Sequence, residues 1–136
     1  MFLQHVAMNV EDRNDLYAEM RRILTPGGWL AIYDLVLRNG YVLYPAPWAR
    51  DASTSFLVSE GDTRIALEQA GFKAVLWRDD TQIALDWFKA AMAGALRNGP
   101  NLGLVMGADF EVKTSNLARN IRENRLGVLS AALIRG

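Results

Sequence analysis

Few side chains in this sequence have the types and spacing to do chemistry, and three groups stand out. The sequence holds one imidazole, His5, in the opening run Met1-Phe2-Leu3-Gln4-His5. Imidazole titrates near neutral pH, so His5 is the first candidate for giving or taking a proton. The plain alternative is a structural or surface histidine. Asp34 is the second candidate, because it interrupts the apolar run Trp29 to Leu37. A carboxylate is costly to bury without a partner. Asp34 is therefore expected at the C-terminal end of a strand, where open α/β sheets bind their ligands. The alternative is a carboxylate bonded to nearby backbone amides or to an arginine. The third group is Tyr44, Trp48 and Arg50, in a stretch from Arg38 to Val58 with no clear period. Aromatic faces hold methylated or cationic amines well, so this group could wall a substrate pocket. A loop simply packed on the core is the equal alternative. Trp87 and Phe88 share a helical stretch and are expected in the core.

Composition narrows the chemistry. There is no cysteine, which excludes disulfides, thiolate nucleophiles and sulfur-ligated metals, and a single histidine excludes a site with several His ligands. No metal is expected. Fifteen basic residues balance fifteen acidic ones. Without net charge, no global field draws the chain to nucleic acid or to an anionic membrane, and neither is expected as a partner. No apolar run approaches the ~20 residues of a membrane span, and the first residues lack the pattern of a signal peptide. A cytoplasmic protein is the expectation. With 51% hydrophobic and 22% charged residues, the 136-residue chain reads as one folded domain over 1–136.

The elements that must position these residues alternate between helical and extended patterns. Phe2 to Met8 is a short apolar run, either a strand end or a loop. Asn9 with Asp12 resembles a capping box. Leu16, Tyr17, Met20, Ile23 and Leu24 then recur at helical spacing, and Pro26-Gly27-Gly28 ends that helix. The charged residues Glu11, Asp12, Arg13, Glu19, Arg21 and Arg22 read as its solvated face. Trp29 to Leu37 suits a strand buried on both faces. Residues 38–58 are expected to form a lid or substrate loop. Ser59 and Asp62 give a second capping signal for a short helix ending at Gly71. Lys73 to Trp77 reads as a strand and Thr81 to Leu96 as an amphipathic helix stopped by Asn98-Gly99-Pro100. A further helix is expected from Asp109 to Glu123, and a last strand from Leu126 to Ile134. The order is that of an α/β fold.

Several of these segments, in this order, resemble a known family. The stretch from Gln4-His5 through Leu24-Thr25-Pro26-Gly27-Gly28 to Val36 is similar to the class I S-adenosylmethionine-dependent methyltransferases. In that family a His-bearing segment after the fourth strand leads into a helix closed by a Leu-x-Pro-Gly-Gly turn. Glu68-Gln69-Ala70-Gly71-Phe72 resembles the family's helix end before its sixth strand, and Leu126 to Ile134 its antiparallel seventh. The resemblance covers essentially the whole chain and implies a partial Rossmann-like methyltransferase fold. It implies a mixed sheet of about three strands, the last antiparallel, with about four helices. The segments correspond to the C-terminal half of that fold.

The resemblance also places site residues. It puts His5 at the edge of the cofactor and substrate pocket, as a positioning group or base, with Gln4 beside it as a hydrogen-bonding contact to cofactor. The substrate would meet Asp34, Tyr44, Trp48 and Arg50. The cofactor implied is S-adenosylmethionine, yet no Gly-x-Gly-x-Gly loop follows a strand here. Gly99, Gly103 and Gly107 are spaced by four but follow no expected strand, and are no substitute. Two functions follow as expectations. One is methyl transfer to a small molecule with the cofactor half supplied by another chain. The other is a non-catalytic, truncated relative acting as an interaction or ligand-binding module. Either leaves apolar surface to be covered by a homodimer partner or by a complementing N-terminal half.

Overall fold

The computed structural model describes residues 1–98 and 110–136. Four strands form one mixed sheet in the order β1 (Phe2–Gln4), β2 (Trp29–Leu37), β4 (Leu126–Arg135) and β3 (Phe72–Asp79). The opening apolar run is thus a strand, one more than the three patterned runs suggested. β1 lies parallel to β2, while β4 runs antiparallel to both β2 and β3. The antiparallel last strand is as expected. Four α-helices are described: α1 (Arg13–Ile23), α2 (Glu60–Gln69), α3 (Thr81–Asn98) and α4 (Phe110–Arg122). Gly99 and Pro100 of the expected helix stop, the helix start at Asp109, and the trio Gly99, Gly103 and Gly107 lie outside the described residues.

Local chemistry sets the helix limits. Asp12, not Asn9, caps α1: its side chain accepts from the Asp15 amide at 2.9 Å, while Ala7–Asn9 form a separate 3-10 turn. The Asn9–Asp12 spacing therefore marked a turn followed by a cap, not a capping box. Ser59 caps α2 as its spacing with Asp62 suggested, accepting from the Asp62 amide at 3.1 Å. The Pro-Gly-Gly turn needs both glycines. Gly27 has φ +77°, and a Cβ on Gly28 would come within 2.8 Å of the Thr25 carbonyl.

The sheet carries a different layer on each face. On one face α1 and α2 pack Tyr17, Met20 and Leu67 against Leu30, Ile32, Val36, Leu129, Ala131 and Leu133. On the other, α3 and α4 meet Leu35, Leu126 and Val128 with Ala84 and Ile121. This second layer covers only part of its face. Phe2, Ala31, Ala132 and Leu76 are register partners in a row across all four strands. Phe2 is 63% exposed and Leu76 49%, and neighbouring Trp29 is 52% exposed. Among the described residues the cover over that row is incomplete.

Candidate functional site

The partly covered face ends at a cavity of about 410 Å³, built from five places in the chain. The first is the end of β1. His5 has φ +52° and turns the chain there, with its amide donating to the Tyr33 carbonyl at 3.0 Å. Its ring meets the Tyr33 ring edge-on, with centroids 5.3 Å apart and planes at 73°. Both rings line the cavity, as do Met8 and Asn9 of the 3-10 turn. His5 is exposed, but enough of its ring is enclosed for desolvation to hold its pKa below the usual imidazole value. Burial, and then the charge of Asp80, raise the Tyr33 pKa, so the phenol stays protonated.

The second wall is the strand pair. Tyr33 and Leu35 of β2 face the cavity with Val128, the β4 partner of Leu35. Period-two alternation sends Asp34 to the opposite face. There it is 3% exposed, near Arg13 and Tyr17, and burial pushes its carboxyl up to about 6 despite the lowering influence of Arg13 and of the Ala7 and Leu35 amides. Neither oxygen has a partner at hydrogen-bond distance and angle. Asp34 therefore does not sit at the end of its strand, and it does not touch the cavity. Period two had already said that Tyr33 and Asp34 face opposite ways; it could not say which faced the site.

The third wall comes from residues 38–58. Pro47 and Trp48 reach the cavity, whereas Tyr44 is half-buried outside it and Arg50 is exposed away from it. The loop is tied down rather than loose. Asn120, fully buried on α4, accepts from the Leu43 amide at 2.8 Å and donates to the Leu43 carbonyl at 3.1 Å. Asn116 donates to the Pro45 carbonyl at 2.9 Å. The Trp48 indole N–H donates to Ser55 Oγ at 3.0 Å.

On its other side the loop rests on Arg13. This residue is buried, not part of a solvated face: its guanidinium donates to the carbonyls of Ala7 and Phe56 and to the Tyr17 hydroxyl, at 2.9, 3.1 and 3.3 Å. Its position lies on the helical period of Tyr17, Met20 and Leu24, so spacing placed it on the buried stripe and only its charge pointed to solvent, whereas Glu19 and Arg22, off that period, form an exposed ion pair.

Helices supply the remaining walls. Ala84, Trp87 and Phe88 of α3 and Leu117 and Ile121 of α4 line the cavity. Trp87, expected in the core, is 66% exposed and turns its edge to Phe88 at 5.5 Å. Helical spacing alone gives no sign of this, because an apolar stripe is wide enough to hold two adjacent residues. Gln4 pairs with Tyr33 in register and is exposed at the β1 edge, next to the cavity but not lining it. Among the described residues no three His, Asp or Glu side chains gather as metal ligands, and no helix is long and apolar enough to cross a membrane.

No protein-family model matches the sequence, and no curated protein matches it either. Solved structures do. A phosphoethanolamine N-methyltransferase of Haemonchus contortus, in complex with S-adenosylhomocysteine, superposes with a TM-score of 0.78 at 12% identity, over 98% of this chain and 32% of its own. A geranyl diphosphate C-methyltransferase of Streptomyces coelicolor A3(2), also with S-adenosylhomocysteine, gives 0.68 at 18% identity, over 99% and 47%. The fold is that of the S-adenosylmethionine-dependent methyltransferases. The chain spans about half the length of such structures, or less. The same methyltransferase fold is shared by the (4+2)-cyclase SpnF, with a TM-score of 0.67 at 13% identity over 98% and 49%. Fold alone therefore does not dictate the reaction.

Taken alone, the described residues do not fit a whole S-adenosylmethionine. Gln4 and His5 offer contacts at one edge, but no carboxylate lines the cavity for ribose hydroxyls and the sequence has no glycine-rich turn after a strand.

Proposed function

We propose that this chain is the C-terminal, acceptor-side half of a small-molecule methyltransferase, and that the half holding the cofactor is supplied by polypeptide outside this sequence. The observation that carries the reading is the cavity itself. It opens beside His5 at the end of β1, on the sheet face that the described residues leave partly bare. In such an enzyme S-adenosylmethionine supplies an electrophilic methyl group. The chain's own part is to hold the acceptor, exclude water and manage a proton. Trp48, from a loop acting as lid, and Phe88 shield the acceptor from solvent. Neutral His5 accepts the proton that the nucleophile loses; its lowered pKa keeps it in the basic form at pH 7. Gln4 contacts the cofactor edge.

The partly bare row of Phe2, Ala31, Ala132 and Leu76 supports the missing-half reading, because a face this apolar is stabilised by a covering partner. Among the described strands β1 also lies at an edge of the sheet, open to a further strand. The same surface supports a second reading, in which two copies of this chain cover one another and the protein is a binding module without methyl transfer.

The test is to purify the native assembly through a tag on this chain and incubate it with methyl-labelled S-adenosylmethionine. Label passing to a small-molecule fraction, and falling about 100-fold in His5→Gln, is expected. An assembly of identical chains that neither binds nor consumes the label overturns the proposal in favour of the binding module.

A further inference from the structure

The lining of the cavity carries a chemical preference that the fold does not. Its rings are Tyr33, Trp48, Trp87 and Phe88, with aliphatic side chains between them, and among the described residues no Lys, Arg, Asp or Glu lines it. Its polar atoms are few. The Trp48 indole N–H is already committed to Ser55, which leaves His5, Asn9, the Tyr33 hydroxyl and the Trp87 indole at the rim. The charges close by are self-contained: Asp80 is held by Arg78 at 2.6 Å and by the Ser130 hydroxyl. Arg50, the cation nearest in sequence to Trp48, is exposed and does not line the cavity.

We propose that this cavity takes an uncharged, largely apolar and flat molecule, such as an aromatic or polyunsaturated compound with one hydroxyl or amide group presented to His5 and Asn9. A buried ionised group without a counter-charge costs several kcal/mol; an anion gains nothing from the negative ring faces, and a cation over rings as exposed as Trp87 regains only about 0.5–1 kcal/mol from each. A volume of about 410 Å³ is within the range of pockets for small organic molecules. Phosphate and diphosphate groups, which define the compounds named for two of the similar structures, find no cation among the described lining residues. The inference rests on the cavity being the acceptor site. It concerns binding alone, so it is tested without cofactor or partner half.

The experiment is calorimetric titration of the full chain at pH 7 and 0.15 M salt with three probes that share one ring system: 2-naphthol, 2-naphthyl phosphate and 2-naphthyltrimethylammonium. The expected result is that 2-naphthol binds at least tenfold tighter than either charged probe. Trp87→Ala, a change at an exposed ring, should weaken it at least fivefold while far-UV circular dichroism is unchanged. Tyr41→Ala, at a side chain 89% exposed and outside the cavity, should leave it unaltered. Equal or tighter binding of the phosphate or the ammonium probe overturns the proposal, as does absence of 2-naphthol binding at millimolar concentration. Either failure leaves the labelled-methyl experiment untouched. Conversely, neutral-probe binding by an assembly that transfers no methyl group retains the pocket chemistry and removes the enzyme.

Discussion

The two faces of the sheet are built to different standards. Under α1 and α2 the face is closed: β4 residues Leu129, Ala131 and Leu133 are all buried, and Tyr17, Leu30 and Leu67 are fully enclosed. Under α3 and α4 the same strand presents Ser130, Ala132 and Ile134, each only half-buried, and the cover stops at a cavity. One strand thus serves scaffold on one side and binding on the other. Stability belongs mainly to the first face, and contacts with other molecules to the second.

Substitutions can break or sharpen that contrast. Leu67→Ala, in the middle of the closed face, should cost about 2–5 kcal/mol in urea unfolding. Asn120→Ala leaves the Leu43 amide and carbonyl without partners and should cost about 2–3 kcal/mol. Hydrogen exchange at Leu43 should quicken more than exchange in α1, since the loop loses its anchor while the closed face does not.

Asp34 sharpens the contrast with the opposite sign. Its folded pKa, about 6, lies above the ordinary 3.8, so the folded state holds the proton more tightly than the unfolded chain does. Its contribution to stability is fully present below about pH 4 and is lost as pH rises through 6. At pH 8 the ionised group then costs about 3 kcal/mol. Asp34→Asn should recover about 1–3 kcal/mol at pH 8 and little at pH 4, flattening the pH profile of urea midpoints between those values. The smallest effect is expected on the open face. Phe2→Ser with Leu76→Ser should change monomer stability by less than about 1 kcal/mol, yet abolish any association detected by sedimentation. Loss of more than 2 kcal/mol from this pair would mean that the open face is scaffold after all.

Most of the fold was legible because its punctuation is chemical. Pro26-Gly27-Gly28 and Ser59 mark element limits through φ restriction and side-chain capping, and both act locally. β1 was ambiguous since three residues are too few to show a period. The site was legible where a residue type is rare: His5 is the one imidazole, and Trp48 an aromatic in an irregular stretch; both line the cavity. It was illegible where position depends on which face of an element is covered. Asp34 and Tyr33 exchange roles according to where α1 lies. Trp87 looks like core until the open end of α3 is known, and Tyr44 and Arg50 share a loop with Trp48 without sharing its direction. Arg13 shares the helical period of Tyr17 and Met20, but what would receive its buried charge stayed hidden, because its partners, Ala7 and Phe56, are brought together only by the folded chain.

The place of β4 has a consequence for how the chain folds. β2 and β3 never touch; each pairs with β4, whose residues 126–135 come after both in the sequence. No hairpin between neighbouring strands can start the sheet, and β2 must find a partner about 90 residues away along the chain. Closing a loop of that size precedes any gain from the contacts, so assembly should be slow for a domain of this length. Until residues 126–135 arrive, both flanking strands wait with unpaired backbone edges, and during synthesis that interval is when the chain is most exposed to aggregation.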